Sequence, residues 1–416
     1  MNQNSSSVER VIGLDGHPDT FTAALVRGQT PASAIVEKTF NKIPIERLVS
    51  WATKHSRAQD LIVLEASGNS FEIARTLSAA GRKAKVLESC HLGKLKEGHA
   101  NNDKISAVRI AKAYLAGTAR EVWVPDARTQ ERRDWFHAHR KAVKRSTQMK
   151  ARLRSYLSDN GVRLKKGTRL TALTIETVLR TTRNWSSGQW QVIEMFLLDL
   201  RQAEQQRVRW HSLITQEVLA DPQLLSLVRL CGVREMVAFA VGAFVGDIHR
   251  FAEPKKFVKY VGLNPAFDDS GQTPWSGGVG GHGNKALRCL LVEGAQAILR
   301  ASKTPLAQWG KKLLRRKGAK NLVAAAMARK LAVAIWYLLR GRWTALDEID
   351  KPLALKIGKM LDAAGSVTLK GLGLERKIYR QHIYQQIKTG RTYVLDPNKK
   401  FTPNLKSTLA QEYGLC

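Results

Sequence analysis

Three acidic residues, Asp15, Glu65 and Asp103, stand where the chain could offer carboxylates to a metal ion. Asp15 closes the strand-like run VIGLD and Glu65 closes the apolar run LIVLE, so if those strands are neighbours both carboxylates emerge at one sheet edge. Asp103 opens a helical stretch that can supply a third. Hard divalent cations such as Mg2+ or Mn2+ take a few carboxylate oxygens plus water, and a pair of them can clamp the attacking and leaving oxygens of a phosphodiester. Plainer readings exist beside this one: an Asp before Gly forms turns, and an Asp at a helix start caps it. Glu65 is harder to account for that way, because a charge that follows four apolar strand residues is costly to bury without a metal or a cation.

Among the elements that must carry these residues, Arg10 to Asn41 reads as a meander of three strands. IPIERLVSWATKH follows with apolar residues at helical spacing, then the buried-strand run LIVLEA, the amphipathic SFEIARTLSAAG and the strand KAKVLES. A helix from about Asp103 to Leu115 and a short strand, EVWVP, at Glu121 to Pro125 complete a mixed α/β sheet domain over residues 1–127. Between Arg128 and about Tyr156 there is neither Pro nor Gly, and the segment is crowded with basic residues. It predicts a long cationic helix. A second helical stretch, from about Thr174 to Leu219 with a break near Ser186 to Gly188, would pack on it as an antiparallel coiled-coil-like arm spanning 128–220. A mainly α domain is expected over 221–341, closing with NLVAAAMARKLAVAIWYLLRG, where Gly341 sits as a C-terminal glycine should. Residues 342–416 read as an appended extension with no assignable role.

The whole chain of 416 residues, 44% hydrophobic, can bury several cores. Its 68 Lys and Arg against 35 Asp and Glu leave a formal charge of +33, which predicts a polyanionic partner. The four cysteines, Cys90, Cys231, Cys289 and Cys416, form no C-x-x-C pair, which argues against a zinc ribbon or a disulfide framework and fits a reducing cytoplasm. The first residues lack an apolar signal core, and apolar runs such as Leu331 to Leu339 are too short to span a bilayer. No membrane association is expected.

The succession VIGLDGH, VLEASG and NNDKISAVRIAKAYLAG resembles the RuvC-like (RNase H type) domain of the DEDD transposases of insertion-sequence family one-ten, with its eleven-eleven subgroup. The resemblance carries Asp15, Glu65 and Asp103 over as the first three metal ligands. Where the family pattern places its fourth acid, three residues after Asp103, this chain has Ser106. A hydroxyl is a neutral, weaker ligand, so either metal binding is weakened or another acid compensates, Glu97 and Asp126 being the nearest in sequence.

The later segment LCGVREMVAFAVGAFVGDIHRF resembles the helix-hairpin-helix opening of the family's C-terminal domain, with Gly232, Val233 and Arg234 in place of the usual G-V-G turn. An ordinary helical hairpin gives the same pattern. FVKYVGLNPAFDDSGQTPWSGGVGGHGNKALRCLLVEGA resembles the most diagnostic family motif: Y-x-G-L-x-P, a polar loop, S-G, a glycine-rich turn, then G-N-x-x-L-R opening a helix. In the family the serine of S-G is the nucleophile, which corresponds to Ser270, with Ser276 its neighbour in the same stretch. Such a hydroxyl is a poor nucleophile unaided. His282, Asn284, Lys285 and Arg288 follow closely, and the cations are candidates for phosphate binding or for plain solvation.

The resemblance implies a recombinase that excises and inserts its element by cutting and rejoining donor and target DNA. It further implies a homo-tetramer, a structured bridge RNA that pairs with both DNAs, and an acidic site that assists Ser270. On that reading the basic arm is an RNA-facing surface, and Arg140, Lys141, Lys144 and Arg145 are its candidate contacts. Two alternatives stay open: a RuvC-like structure-specific nuclease using metal-activated water, and a nucleic-acid-binding protein whose catalysis has decayed.

Overall fold

A computed structural model describes residues 10–89, 103–117, 119–165, 167–168, 170–268, 275–279, 282–301, 303–342 and 350–365. It divides into two compact units, Met1–Ala127 and Arg128–Cys416.

In the first unit, β1 (Arg10–Gly16), β2 (Thr20–Arg27) and β3 (Ile35–Pro44) form the expected antiparallel meander. After α1 (Leu48–His55), β4 (Leu61–Glu65) pairs parallel with β1, and after α2 (Ser70–Ala79), β5 (Lys83–Leu87) pairs parallel with β4. α3 (Asp103–Leu115) leads to β6, which comprises only Glu121–Val122 and runs antiparallel to β5. The strand expected through Pro125 is cut short, and a proline has no N–H to give a ladder. The sheet order is β3-β2-β1-β4-β5-β6.

Alternation along the strands builds a core on each sheet face. Ile12, Leu14, Ile62 and Leu64 join Trp51, Ile73 and Leu77 from α1 and α2 on one face. Val11, Leu61 and Val63 join Ala107, Ile110 and Ala111 of α3 on the other. Gly13 falls in the α3-facing set, and a Cβ built there would lie 1.9 Å from the carbonyl oxygen of Ala107. The missing side chain at Gly13 therefore lets α3 lie directly on β1.

The second unit begins with α4 (Ala127–Asp159), α5 (Ala172–Thr182) and α6 (Ser187–Ala220). Ser186 starts α6 with a capping box to Gln189, which fixes the break the sequence places near this point. α4 and α6 run antiparallel: Arg132 meets Glu217, Trp135 meets Trp210, His139 meets His211, Lys150 meets Glu204 and Tyr156 meets Phe196. Phe136, His139, Ala142, Ser146, Met149, Leu153 and Leu157 are buried along α4 at three- and four-residue steps, the seam of a helix pair.

Then come α7 (Pro222–Leu227), α8 (Glu235–Val245), α9 (Pro254–Val261), the hairpin β7 (Pro265–Asp268) and β8 (Trp275–Val279), α10 (Lys285–Ala301), α11 (Pro305–Lys317) and α12 (Lys320–Leu339). α12 is 20 residues, longer than the Leu331–Leu339 run, and has the length and composition to cross a membrane. Half of its apolar window is buried within this unit, with Val323, Met327, Leu331 and Ile335 fully inaccessible. It is a core helix here.

Asp350–Ala364, within the stretch that carries no clear pattern in sequence, forms α13 and packs along α6. Leu353, Ile357, Met360 and Leu361 join the same core as α8 and α12. The buried Lys356 donates from Nζ to the carbonyls of Val228, Leu230 and Val233 at 2.8, 3.0 and 3.0 Å. One ammonium thus satisfies three carbonyls of the turn between α7 and α8, which would otherwise be costly to bury.

Candidate active site

Asp15 and Glu65 follow the paired residues Leu14 and Leu64 on adjacent parallel strands. They therefore occupy one row, at strand C-termini about 5 Å apart, on the face that α3 covers. α3 begins at Asp103, and its sheet-facing positions continue with Ser106, Ala107 and Ile110, an i, i+3, i+4, i+7 stripe. With α3 seated on Gly13, the first turn of the helix is held over the end of β1.

Asp15, His17 and Asp103 come together, with one ligand-capable atom of each within 4.8 Å of the others. His17 Nε2 lies 3.5 Å from Asp103 Oδ1. Burial pushes the Asp15 carboxyl above its ordinary range, and the charge of Asp103 adds to this. His17, Arg109 and a hydrogen bond from Ser106 act in the opposite sense. Two carboxylates crowded in this way are stabilised by a divalent cation, and open solvent at the exposed His17 leaves room for water ligands. The donor set fits a hard divalent cation.

His17 carries no signal in sequence beyond its place two residues after Asp15. A turn between β1 and β2, closed by His17 N–H donating to the Thr20 carbonyl at 2.8 Å, brings it back toward the carboxylates. Glu65 ends the adjacent strand in that row but is not one of the three clustered side chains. Ser106 is 7% exposed, hydrogen-bonds Asp15 and accepts from Arg109 Nη2 at 3.3 Å. At the position of the fourth acid, then, a neutral hydroxyl and a nearby guanidinium face Asp15. Asp126 is exposed and stands outside the cluster, and Glu97 lies outside the described residues.

In the second unit the glycine-rich motif stitches α9 to α10. Gly262 ends α9 in the left-handed region at φ 78°, and a Cβ there would meet the His282 carbonyl oxygen at 2.0 Å. Gly283, at φ 98°, lies against Gly262, while Asn284 N–H donates to the Tyr260 carbonyl at 2.8 Å. Asn284 Oδ1 accepts from Leu287 N–H at 2.9 Å and so caps α10. Arg288 Nη1 donates to the carbonyls of His282 at 2.8 Å and Gly262 at 3.3 Å, while Lys285 is exposed. The Y-x-G-L and G-N-x-x-L-R signatures are thus two halves of one backbone junction at the base of the β7–β8 hairpin.

Ser270 lies outside the described residues, between Asp268 and Trp275, which pair at the ends of the two strands. Ser276 is on β8 opposite Phe267. The Gly232 turn has φ 76° and packs backbone to backbone on α10, where a Cβ at Gly232 would meet the Gly294 carbonyl oxygen at 2.9 Å. Arg234 precedes the first turn of α8 and pairs with the buried Glu235, which His211 also contacts. On α4, Arg140, Lys141, Lys144 and Arg145 are all exposed, and Arg145 reaches Asp199 at 3.4 Å.

Residues 12–160 match a DEDD transposase family model of the IS110 type, and residues 226–309 match the transposase IS116/IS110/IS902 family. Together these cover more than half of the chain. A probable family 20 transposase of Pseudomonas aeruginosa is 27% identical over 284 residues, 67% of this chain and 83% of the relative. The transposase for insertion sequence element IS1111A of Coxiella burnetii is 25% identical over 282 residues, 67% of this chain and 77% of the relative. A putative transposase of Sinorhizobium fredii is 25% identical over 348 residues, 82% of this chain and 87% of the relative. A mixed α/β sheet with an acidic cluster, followed by a helical unit, fits the RNase H-like plan of such enzymes. The chain belongs to the IS110 family of DEDD transposases and is a DNA transposase.

Proposed function

We propose that this transposase cuts and rejoins DNA for its insertion sequence through a phosphoserine link at Ser270, assisted by a divalent-metal site on Asp15, Glu65 and Asp103. The convergence of Asp15, His17 and Asp103 at the end of β1 supports the metal-assisted part. Asp15 and Asp103 would hold Mg2+ or Mn2+, with His17 and Glu65 flanking, and the cation would supply charge neutralisation at the transferring phosphoryl oxygens. Ser270 Oγ forms a bond to phosphorus as the bond to the leaving deoxyribose oxygen breaks. The serine proton is lost to base, and the leaving oxygen is protonated. Attack by the hydroxyl of a partner strand reverses these changes and releases the serine, so the energy of the phosphodiester is conserved. Ser106 and Arg109 set the orientation and charge of Asp15.

Donor and target DNA are selected by pairing with an element-encoded bridge RNA held by the protein. The protein works as a tetramer in the bacterial cytoplasm, and the exposed Arg140, Lys141, Lys144 and Arg145 contact the RNA backbone. The test is strand exchange between donor and target duplexes with the RNA that co-purifies with the protein. Ser270→Ala abolishes exchange, and Asp15→Asn lowers it by at least about 100-fold. Cleavage that persists in Ser270→Ala would instead assign a nuclease using metal-activated water.

A further inference from the structure

The cations of the long arm are partly spent on internal partners: Arg132 on Glu217 and Asp221, Arg145 on Asp199, Lys150 on Glu204. The α11–α12 hairpin is different. Between Glu293 and Asp347 the sequence contains no acidic residue, yet Lys303, Lys311, Lys312, Arg315, Arg316, Lys317 and Lys320 all fall there. All seven are exposed. Among the described residues, Lys312, Arg315, Arg316, Lys317 and Lys320 make no ion pair.

The helix that bears them buries Leu306, Ala307 and Gly310 and turns its basic face outward. Lys311 with Arg315, and Lys312 with Arg316, are like charges one turn apart, which destabilises the helix. A merely solvated helix relieves such repulsion with acids at these spacings, and this one has none. Gly318, in the left-handed region at φ 68°, ends α11 and turns the chain into α12, so Lys317 and Lys320 extend the same basic surface. Trp309, 36% exposed with Lys330 Nζ 4.7 Å over its ring, flanks it.

We infer that the α11–α12 hairpin is a second nucleic-acid surface, separate from the α4 arm, that grips the phosphodiester backbone of a DNA duplex, the substrate class of a transposase, through Lys312, Arg315, Arg316, Lys317 and Lys320. This rests on the proposed reading of the chain as a nucleic-acid recombinase. The surface reads charge and not sequence, since it offers ammonium and guanidinium groups to phosphate oxygens.

The test measures binding of the full chain to a DNA duplex and to an RNA duplex of equal length by fluorescence anisotropy across a salt series. The variant carries Lys312→Gln, Arg315→Gln, Arg316→Gln, Lys317→Gln and Lys320→Gln. Each phosphate contact contributes about 0.9 to the slope of log affinity against log salt, so the variant slope is shallower by about 3–5. A shallower slope with DNA is the expected result, and a loss confined to the RNA duplex would overturn the assignment to DNA. If the fivefold variant does not fold, Arg315→Gln with Arg316→Gln carries the test, with a slope shallower by about 2. Wild-type binding with an unchanged variant slope on both duplexes overturns this surface alone. A wild-type chain that binds neither duplex overturns the surface and the proposed function together. Tighter binding to phosphatidylglycerol vesicles than to either duplex would also overturn it, by assigning the patch to a membrane.

Discussion

Gly13→Ala is a one-carbon change that tests how the acidic site is built. A Cβ at this position would stand 1.9 Å from the Ala107 carbonyl oxygen, 2.9 Å from its carbonyl carbon and 3.0 Å from the Ala111 nitrogen. All three are backbone atoms, so no rotamer change relieves the clash. Ordinary contact requires α3 to retreat by more than ~1 Å, and overpacking of this kind costs about 1–3 kcal/mol. The same retreat lifts Asp103 and Ser106 away from Asp15, because both ride on the first turn of α3. A misplacement of about 1 Å at a reacting centre costs on the order of 100-fold in rate. Urea unfolding, a Mg2+ or Mn2+ titration and strand exchange measure the three consequences on one protein. The expected result is lower stability, weaker cation binding and slower exchange together. Wild-type stability and cation affinity in Gly13→Ala would refute the idea that direct contact between α3 and β1 sets the site.

Three further outcomes follow from the packing. Ser106→Asp restores a carboxylate beside Asp15, so cation affinity rises by about tenfold or more while the metal-free protein loses stability, read by calorimetric titration and thermal unfolding. The imidazole of His139 is held down to about 4 by burial, with His211, Arg207 and Arg140 adding repulsion. Its folded value lies below the unfolded value of 6.5, so the neutral ring's contribution is complete above pH 6.5 and is lost as pH falls toward 4, by about 3 kcal/mol in all. His139→Gln should flatten the stability profile across that window in denaturant titrations at successive pH values. Lys356→Met strands the carbonyls of Val228, Leu230 and Val233, so unfolding free energy drops by about 2–4 kcal/mol in urea, the cost of unmade buried hydrogen bonds.

The sheet was legible because its strands are short apolar runs of the right length, and the register of β1 against β4 follows from Leu14 and Leu64 standing just before their carboxylates. Of the site residues read from sequence, Asp15 near the end of β1 and Asp103 at the start of α3 are the two that the structure brings together, because element ends are where side chains meet solvent, while Glu65 closes β4 without joining them. What sequence could not carry is what depends on approach in three dimensions. Gly13 looks like any glycine in a strand until a helix is laid over it. His17 joins the carboxylates only after a turn reverses the chain. Arg288 reads as a phosphate ligand by type, but its guanidinium also holds the carbonyls of Gly262 and His282, a role that needs the α9–α10 junction to be known. α13 has a weak periodic pattern because its packing is anchored by a buried lysine that composition counts as a surface residue.

The most direct measurement of the central claim is peptide mapping of the covalent complex formed when the protein is quenched during cleavage of its own element's ends in Mg2+. A DNA strand esterified to Ser270, absent without divalent cation and strongly reduced in Asp15→Asn and Asp103→Asn, is the predicted result. An adduct on another side chain, or efficient cleavage with no adduct at all, would contradict it.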